Sequence, residues 1–238
     1  MIAKALTVLV ALCVAVFGCA PGQPPADSPP PVPSEPASAA SPDPAPSVVF
    51  LGTSLTAGFG LDPASAYPAL VQGRIAAAGL PHRVVNAGVS GETSAGARRR
   101  VDWLLQKPIA VLVVETGAND GLRGQDTGEM RKNIQAIFDR ARRQSPPPRL
   151  VLVGMEALTN YGADYVARFR SVFPELAQAN DAAFVPFLLE GVAGVRSLNQ
   201  PDGIHPTAAG HARIAETVWT VLRPVIEADA RSRSARKD

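Results

Sequence analysis

The stretch Ile109-Ala110-Val111-Leu112-Val113-Val114-Glu115 decides the fold class of this 238-residue chain. It is the strongest strand signal in the sequence, because its residues are apolar up to the last one and several are β-branched. A run of this kind is typical of a strand buried on both faces, as in a parallel sheet that helices cover.

Shorter apolar runs and segments of helical period alternate on both sides of this strand. We predict further strands at Val48–Leu51, Val84–Ala87, Leu150–Gly154 and Ala183–Pro186. Helices are predicted at Tyr67–Ala78, Thr93–Gln106, Glu129–Arg143, Tyr165–Ala179 and from Thr207 onward. This alternation predicts an α/β fold with helices on both faces of a parallel sheet, whose functional residues gather beyond the carboxyl ends of the strands.

Charge and cysteine content exclude several classes of function. A formal net charge of +2 is too balanced for nucleic acid or an anionic membrane surface as the main partner. Both cysteines, Cys13 and Cys19, lie near the N-terminus. The rest of the chain therefore has no thiolate for catalysis or zinc binding and forms no internal disulfide.

The N-terminus carries the pattern of an export signal. We predict a lipoprotein-type signal peptide at residues 1–18, with Lys4 as its charged start and an apolar run too short for a permanent membrane anchor. Its end, Val16-Phe17-Gly18-Cys19, resembles a bacterial lipobox. That resemblance implies lipid attachment at Cys19 and a periplasm-facing protein of the cell envelope. The alternative is ordinary cleavage, which gives a secreted or soluble periplasmic protein.

Composition also sets the predicted domain boundaries. Residues 19–46 are rich in Pro, Ala and Ser, a composition that favours an extended tether over a packed core. The folded domain is predicted at 47–229, and residues 230–238 are predicted to form a basic, flexible tail.

The loop after the first strand, Gly52-Thr53-Ser54-Leu55-Thr56-Ala57-Gly58, holds a candidate nucleophile. A serine between a strand end and a turn is held out of the sheet, within reach of a substrate. By itself this pattern is more typical of a turn serine that caps the next helix.

The loop before the last helix, Asp202-Gly203-Ile204-His205-Pro206, supplies a candidate base. His205 lies at the same rim, and Asp202 is close enough to bind the second ring nitrogen, fix the tautomer and stabilise the imidazolium. The other two histidines, His82 in a turn and His211 within the last helix, lack this setting.

Two further loops offer neutral hydrogen-bond donors at the same rim. Gly91 follows the second strand and precedes a helix, and Asn119 follows the third strand. Acyl transfer requires such donors for the oxygen that becomes negative. Four successive strand ends thus present a nucleophile, two donors and an acid–base pair.

These residues are similar to the four sequence blocks of the SGNH (GDSL-like) hydrolase family, in which Ser54, Gly91, Asn119 and His205 occupy the four named positions. The likeness is greatest to the bacterial periplasmic thioesterase I, lysophospholipase and arylesterase group. It is carried by residues 84–94, 119–124, 160–162 and 202–206.

The resemblance implies a flavodoxin-like three-layer sandwich with a five-stranded parallel sheet in the order 2-1-3-4-5. It implies a serine hydrolase without metal or organic cofactor, which cleaves esters, and also thioesters, of short to medium acyl chains through an acyl-enzyme. By the same resemblance Ser54 attacks, His205 takes its proton and Asp202 orients His205. The oxyanion hole then consists of the Ser54 and Gly91 N–H groups and the Asn119 amide.

Two departures and two alternatives accompany this assignment. Thr53 stands where the family usually has aspartate, and Ala118 where glycine is common. We expect activity to survive, with altered loop packing or pH dependence. The same machinery also fits an O-acetylesterase acting on carbohydrate or peptidoglycan, and the Thr53 change alone supports a non-catalytic binding module. Residues 158–164 and 187–200 are expected to wall the acyl pocket.

Overall fold

The computed structural model of the chain describes residues 45–236. The predicted signal peptide, the proposed lipid attachment at Cys19 and most of the predicted tether lie outside this range. None of the helices within 45–236 is both long and apolar enough to cross a membrane.

Five strands form one parallel sheet in the order β2-β1-β3-β4-β5, which confirms the predicted topology. The strands are β1 (Ser47–Gly52), β2 (Arg83–Gly88), β3 (Val111–Glu115), β4 (Arg149–Val153) and β5 (Ala183–Val185). Every residue of β3 is buried, as its apolar sequence predicts for a central strand.

Within residues 45–236, seven α-helices surround the sheet. They are α1 (Ser54–Ala57), α2 (Tyr67–Ala77), α3 (Ser94–Leu104), α4 (Ala118–Leu122), α5 (Thr127–Ala141), α6 (Ala163–Ala179) and α7 (Ala208–Ser234). Helix α2 packs against α7, whereas α3 packs against α5 and α5 against α6. Right-handed crossovers in this strand order place these two groups on opposite faces of the sheet, as predicted.

The strand register brings the functional loops to one edge. Gly52 pairs with Gly88 at the ends of β1 and β2, and Glu115 pairs with Val153 at the ends of β3 and β4. The segments that follow these residues therefore emerge side by side, and the loop before α7 joins them.

Helix α7 continues to Ser234, whereas the sequence analysis places a flexible tail from residue 230. Two contacts stabilise the extra turn. Arg233 pairs with Asp229 one turn earlier, and Arg149 donates hydrogen bonds to the Ala228 carbonyl and the Ser232 hydroxyl. The basic composition of this segment concealed its helical pairing.

Candidate active site

The candidate nucleophile sits at a sharp turn from β1 into α1. Thr53 caps α1 in an extended conformation, Ser54 is the first helical residue, and Gly58 ends the helix with a φ of 75°. Close packing against β2 fixes the turn, since a Cβ on Gly88 would lie 2.3 Å from the Ala57 nitrogen. Ser54 remains partly exposed above the sheet edge.

Ser54, His205 and Asp202 form a continuous hydrogen-bonded chain. The Ser54 Oγ lies 3.0 Å from His205 Nε2, and His205 Nδ1 lies 2.7 Å from Asp202 Oδ2. With Nδ1–H donating to the carboxylate, Nε2 is left to accept the serine proton. The structure therefore brings Ser54 to the Asp202–His205 pair, although 151 positions separate Ser54 from His205 in the sequence.

The Asp202 carboxylate is itself held by the backbone. Its Oδ1 accepts N–H bonds from Ile204 (2.9 Å) and His205 (3.0 Å), and Gly203 allows this loop a φ of 70°. The backbone N–H of His205, its ring N–H and the Ile204 N–H lower the pKa of Asp202 to about 2. Asp202 is therefore ionised at neutral pH.

An aromatic contact restrains the His205 ring from the open side. The ring centroids of Phe59 and His205 are 4.6 Å apart with an interplanar angle of 39°. Phe59 is 49% exposed, so the contact leaves the pocket entrance open.

The two candidate oxyanion donors lie beside Ser54 in the same pocket. Gly91 has a φ of 76°, and the Arg123 guanidinium binds its carbonyl (3.1 Å), which fixes the orientation of the loop. The Glu92 carbonyl accepts one amide N–H of Asn119 (2.9 Å), and this leaves the second amide N–H free for the pocket.

Two side chains not predicted from the sequence, the partly buried Arg100 and the buried Asp120, hold these loops in place. Arg100 donates to the carbonyls of Gly52 (3.3 Å) and Ala87 (2.7 Å) and pairs with Glu92, so one side chain joins the ends of β1 and β2 to the Gly91 loop. Asp120 accepts bonds from the Ser94 N–H (2.8 Å) and hydroxyl (2.6 Å), which joins α4 to the start of α3.

Beneath the nucleophile lies a third side chain, Glu115, which is 1% exposed. Its carboxylate accepts bonds from the Thr53 N–H, the Thr53 hydroxyl and the Thr56 hydroxyl. Burial raises the pKa of Glu115 to about 7, and the bonds from Thr53 and Thr56 oppose that rise. The threonine in the usual aspartate position therefore contacts a buried acid.

Ser54, Gly91, Asn119 and His205 open into one pocket of about 440 Å³. Its walls are mostly apolar and are contributed by Leu55, Phe59, Leu122, Met155, Leu158, Phe187, Leu189 and Ile204. Leu158 belongs to the first of the two segments predicted to wall the pocket, 158–164, and five lining residues belong to the second, 187–200: Phe187, Leu189, Ala193, Gly194 and Asn199.

One side of this pocket is tied together by Tyr161. Its hydroxyl donates to the Leu122 carbonyl (3.1 Å), and its ring lies over Gly124, where a Cβ would come within 2.5 Å of the ring. The segment that carries Leu158 is thus fastened to α4.

Sequence reasoning identified the residues that line the pocket more readily than those that support them. Glu115 has one visible signal, since it is the single charged residue of an apolar strand. Arg100 has none, because it lies in a run of three arginines of which one points inward.

Comparisons with known proteins agree with this geometry. The model of the GDSL-like Lipase/Acylhydrolase family matches residues 50–213. Esterase TesA of Pseudomonas aeruginosa is 40% identical over 181 residues, which cover 75% of this chain and 89% of that protein. Thioesterase 1/protease 1/lysophospholipase L1 of Escherichia coli is 33% identical over 185 residues, covering 77% of this chain and 86% of that protein.

Among solved structures, the psychrotrophic esterase EstA from Pseudoalteromonas sp., inhibited by monoethylphosphonate, superposes with a TM-score of 0.71 at 30% identity. The match covers 76% of this chain and 98% of that one. The described domain is therefore similar to these proteins over nearly their whole length.

Proposed function

The chain belongs to the GDSL-like lipase/acylhydrolase family and is an ester-hydrolysing serine hydrolase. We propose that Ser54, His205 and Asp202 carry out the reaction, and that the substrates are esters of short to medium acyl chains. The observation that carries the proposal is the 3.0 Å contact between Ser54 Oγ and His205 Nε2, backed by the 2.7 Å contact to Asp202.

In the acylation half, Ser54 Oγ attacks the substrate carbonyl while His205 Nε2 accepts the hydroxyl proton. The carbonyl oxygen becomes negative as the tetrahedral intermediate forms. His205 then gives the proton to the leaving alcohol or thiol, the bond to the leaving group breaks, and Ser54 keeps the acyl group. Asp202 stabilises the transient imidazolium.

In the deacylation half, water enters where the alcohol left. His205 removes a proton from this water as its oxygen attacks the acyl carbonyl. The proton returns to Ser54 Oγ as the second tetrahedral intermediate collapses, and the free carboxylic acid departs. The cycle consumes one water and leaves the triad unchanged.

The negative oxygen of both intermediates lies in the oxyanion hole that we propose from the backbone N–H groups of Ser54 and Gly91 and the side-chain amide of Asn119. Each donor of this kind is worth about 3–4 kcal/mol of barrier. Support comes from the restraints on the last two, namely Arg123 on the Gly91 carbonyl and the Glu92 carbonyl on the Asn119 amide.

The apolar pocket favours acyl chains over sugars as the group that is bound. Its walls are side chains such as Leu122, Leu158 and Ile204, which shield hydrocarbon but offer no hydrogen bonds to hydroxyl groups. The geometry accordingly favours a carboxylic esterase with thioesterase capacity over the alternative of a carbohydrate or peptidoglycan O-acetylesterase.

Replacing Ser54 tests the nucleophile. The Ser54→Ala variant is expected to lose hydrolysis of p-nitrophenyl butyrate and covalent labelling by a fluorophosphonate. Ser171→Ala, which removes a hydroxyl from α6 that bonds only within its own helix, serves as the matched control and should keep both. Undiminished activity in Ser54→Ala would refute the assignment.

A chain-length series tests the substrate class. Rates on acetyl, butyryl, octanoyl and dodecanoyl esters and on the matching acyl-CoA thioesters should rise above the acetyl rate as the chain fills the apolar pocket. A protein that prefers acetylated xylan or acetylated peptidoglycan to every longer acyl ester would instead be an O-acetylesterase.

We further propose that the protein is exported and held at the envelope by lipid on Cys19. The support is the sequence pattern of residues 1–19, with Lys4, an apolar run and Cys19 in order. Metabolic labelling with a radioactive fatty acid should mark the wild type and not Cys19→Ser, whereas an unlabelled wild type would favour plain secretion.

A further inference from the structure

We propose that Glu115 is a positioning residue of the hydrolase: its ionised carboxylate holds the Ser54 turn from beneath, and its protonation loosens that turn. The inference rests on the proposed role of Ser54 as nucleophile. It adds a side chain that touches neither substrate nor the reacting atoms, and it gives the reaction a second source of pH dependence.

The carboxylate binds residues on both sides of the nucleophile. Thr53 N–H donates to Oε2 (2.8 Å), the Thr53 hydroxyl lies 3.1 Å from Oε1 and 3.0 Å from Oε2, and the Thr56 hydroxyl donates to Oε2 (2.8 Å). Ser54 lies between these two threonines. Its height above the sheet edge is therefore fixed by a side chain from another strand.

The absence of a side chain at Gly52 leaves space for the Glu115 carboxylate. A Cβ on Gly52 would lie 2.8 Å from Glu115 Oε2 and 2.0 Å from the Thr56 hydroxyl oxygen. Any larger residue at the end of β1 would displace the carboxylate or Thr56. Glycine at this position is thus explained by the acid below the turn.

The directions of the hydrogen bonds fit the ionised form. Leu55 N–H donates weakly to the Thr53 hydroxyl oxygen (3.4 Å), and the Tyr67 hydroxyl lies 2.7 Å from that of Thr56, so both threonine protons can point at Glu115. A protonated carboxyl would bring a proton of its own into this cluster. One threonine hydroxyl would then have to turn round and accept, and the turn would lose a charge-assisted bond.

The groups around Glu115 leave its charge uncompensated. From α2, Tyr67 faces it, and burial together with the charge of Glu115 raises the pKa of that phenol well above its ordinary range. Behind Tyr67, His211 of α7 is buried, which lowers its pKa to about 4. From α3, Arg100 reaches the Gly52 carbonyl but pairs with Glu92.

Within residues 45–236 no Lys, Arg or His donates a hydrogen bond to Glu115 or forms an ion pair with it, and burial raises its pKa to about 7. The acid beneath the nucleophile therefore changes charge near neutral pH. At lower pH the Ser54 turn is held by fewer and weaker bonds, and acylation slows.

The experiment compares kcat/KM for p-nitrophenyl butyrate as a function of pH in the wild type and Glu115→Gln. Glutamine imitates the protonated acid at every pH. At about pH 8 the variant is expected to have a kcat/KM about tenfold lower, carried by kcat and not by KM, because the nucleophile is misplaced while the pocket is intact. At about pH 5.5 the ratio should approach one, because the wild type is then protonated as well.

The matched control is Glu129→Gln, which removes an exposed carboxylate of α5 paired with Lys132. Its ratio to the wild type should stay near one across the range. All three proteins keep the same catalytic triad, so the pH dependence that the triad itself gives to kcat/KM cancels from each ratio. A Glu115→Gln variant that equals the wild type at about pH 8, or that is lower by the same factor at every pH, would overturn the inference.

A second pair of variants decides the matter if Glu115→Gln does not fold. Thr53→Val removes only the hydroxyl that bonds Glu115 and should lower kcat/KM at about pH 8, whereas Thr53→Ser should restore it; equal rates in both would overturn the inference. A fully active Ser54→Ala, by contrast, would contradict the proposed function itself. The two failures are therefore distinguishable.

Discussion

Replacing Glu115 by glutamine should raise the stability of the domain relative to that of the wild type as the pH increases, even though it slows the reaction. Burial raises the pKa of Glu115 from 4.5 to about 7, and each pKa unit corresponds to about 1.4 kcal/mol. In the folded protein the ionised form is therefore disfavoured by about 3 kcal/mol relative to the unfolded chain.

The sign follows from the order of the two pKa values. Because the folded value is the higher one, the contribution of Glu115 to stability is fully present below about pH 4.5 and is lost as the pH rises to about 7. Glutamine has no such dependence. The free energy of unfolding of Glu115→Gln relative to the wild type should therefore rise by roughly 2–3 kcal/mol between about pH 5 and about pH 8.

Urea unfolding followed by circular dichroism measures this difference. With an m value of about 2 kcal/mol per molar, the midpoint of the variant should move up by about 1 M relative to the wild type over that pH interval. Glu129→Gln should show no such relative movement. If the midpoints of Glu115→Gln and the wild type keep the same separation at both pH values, the carboxyl has equal pKa values in the folded and unfolded chains and the reasoning is refuted.

Three further predictions concern the donor, the orienting acid and a buried histidine. Asn119→Ala should lower kcat by about 10²-fold to 10³-fold with little change in KM, measured on p-nitrophenyl butyrate, because the amide binds the oxygen only when it is negative. Asp202→Asn should lower kcat by roughly 10⁴-fold while fluorophosphonate labelling slows in parallel, because the amide no longer fixes the His205 tautomer. His211→Phe should remove the acceptor of the Tyr67 N–H bond (3.1 Å) and lower stability by about 1–2 kcal/mol at neutral pH. Burial lowers the pKa of His211 to about 4, so the wild type should lose stability as the pH falls from about 6.5 to about 4, and in urea unfolding the variant should lack that loss.

The strand order and the main helices followed from the sequence because their signals are long and periodic. The apolar run at 109–115 and the helical spacing in 129–143 both extend over enough residues for a period to be recognised. Helices α1 and α4 have four and five residues, which is too short for that. Their positions depend on caps and on contacts with neighbouring strands.

Long-range partners account for the two histidines that lack the setting of a catalytic base. His82 Nε2 binds Asp229 (2.9 Å), 147 residues away, and His211 Nδ1 accepts from the backbone of Tyr67, 144 residues away. Both side chains are buried. Contacts between residues so far apart cannot be predicted from the neighbouring sequence, whereas Asp202 and His205 are three residues apart and can be recognised as a pair.

The sequence shows Thr53 as a departure from the family pattern, and from it we expect altered loop packing or pH dependence. The sequence does not show which side chain Thr53 contacts. The structure supplies the partner in Glu115, which lies 62 residues away at the end of another strand. The sequence pattern of β3 shows that its residues are apolar up to Glu115, but it does not show what the Glu115 carboxylate binds.

We expect the hydrogen bond between the Tyr161 hydroxyl and the Leu122 carbonyl to influence how sharply the pocket discriminates among acyl groups. A bulkier chain does not have to deform the close-packed core, because it can push the Leu158 segment outward by breaking one exposed hydrogen bond. Such a bond is worth about 1 kcal/mol, which corresponds to about a fivefold change in rate. The rate should therefore decline gradually as the acyl chain becomes bulkier. Substitution of Gly124, which lies beneath the Tyr161 ring, should change how bulky a chain the pocket accepts.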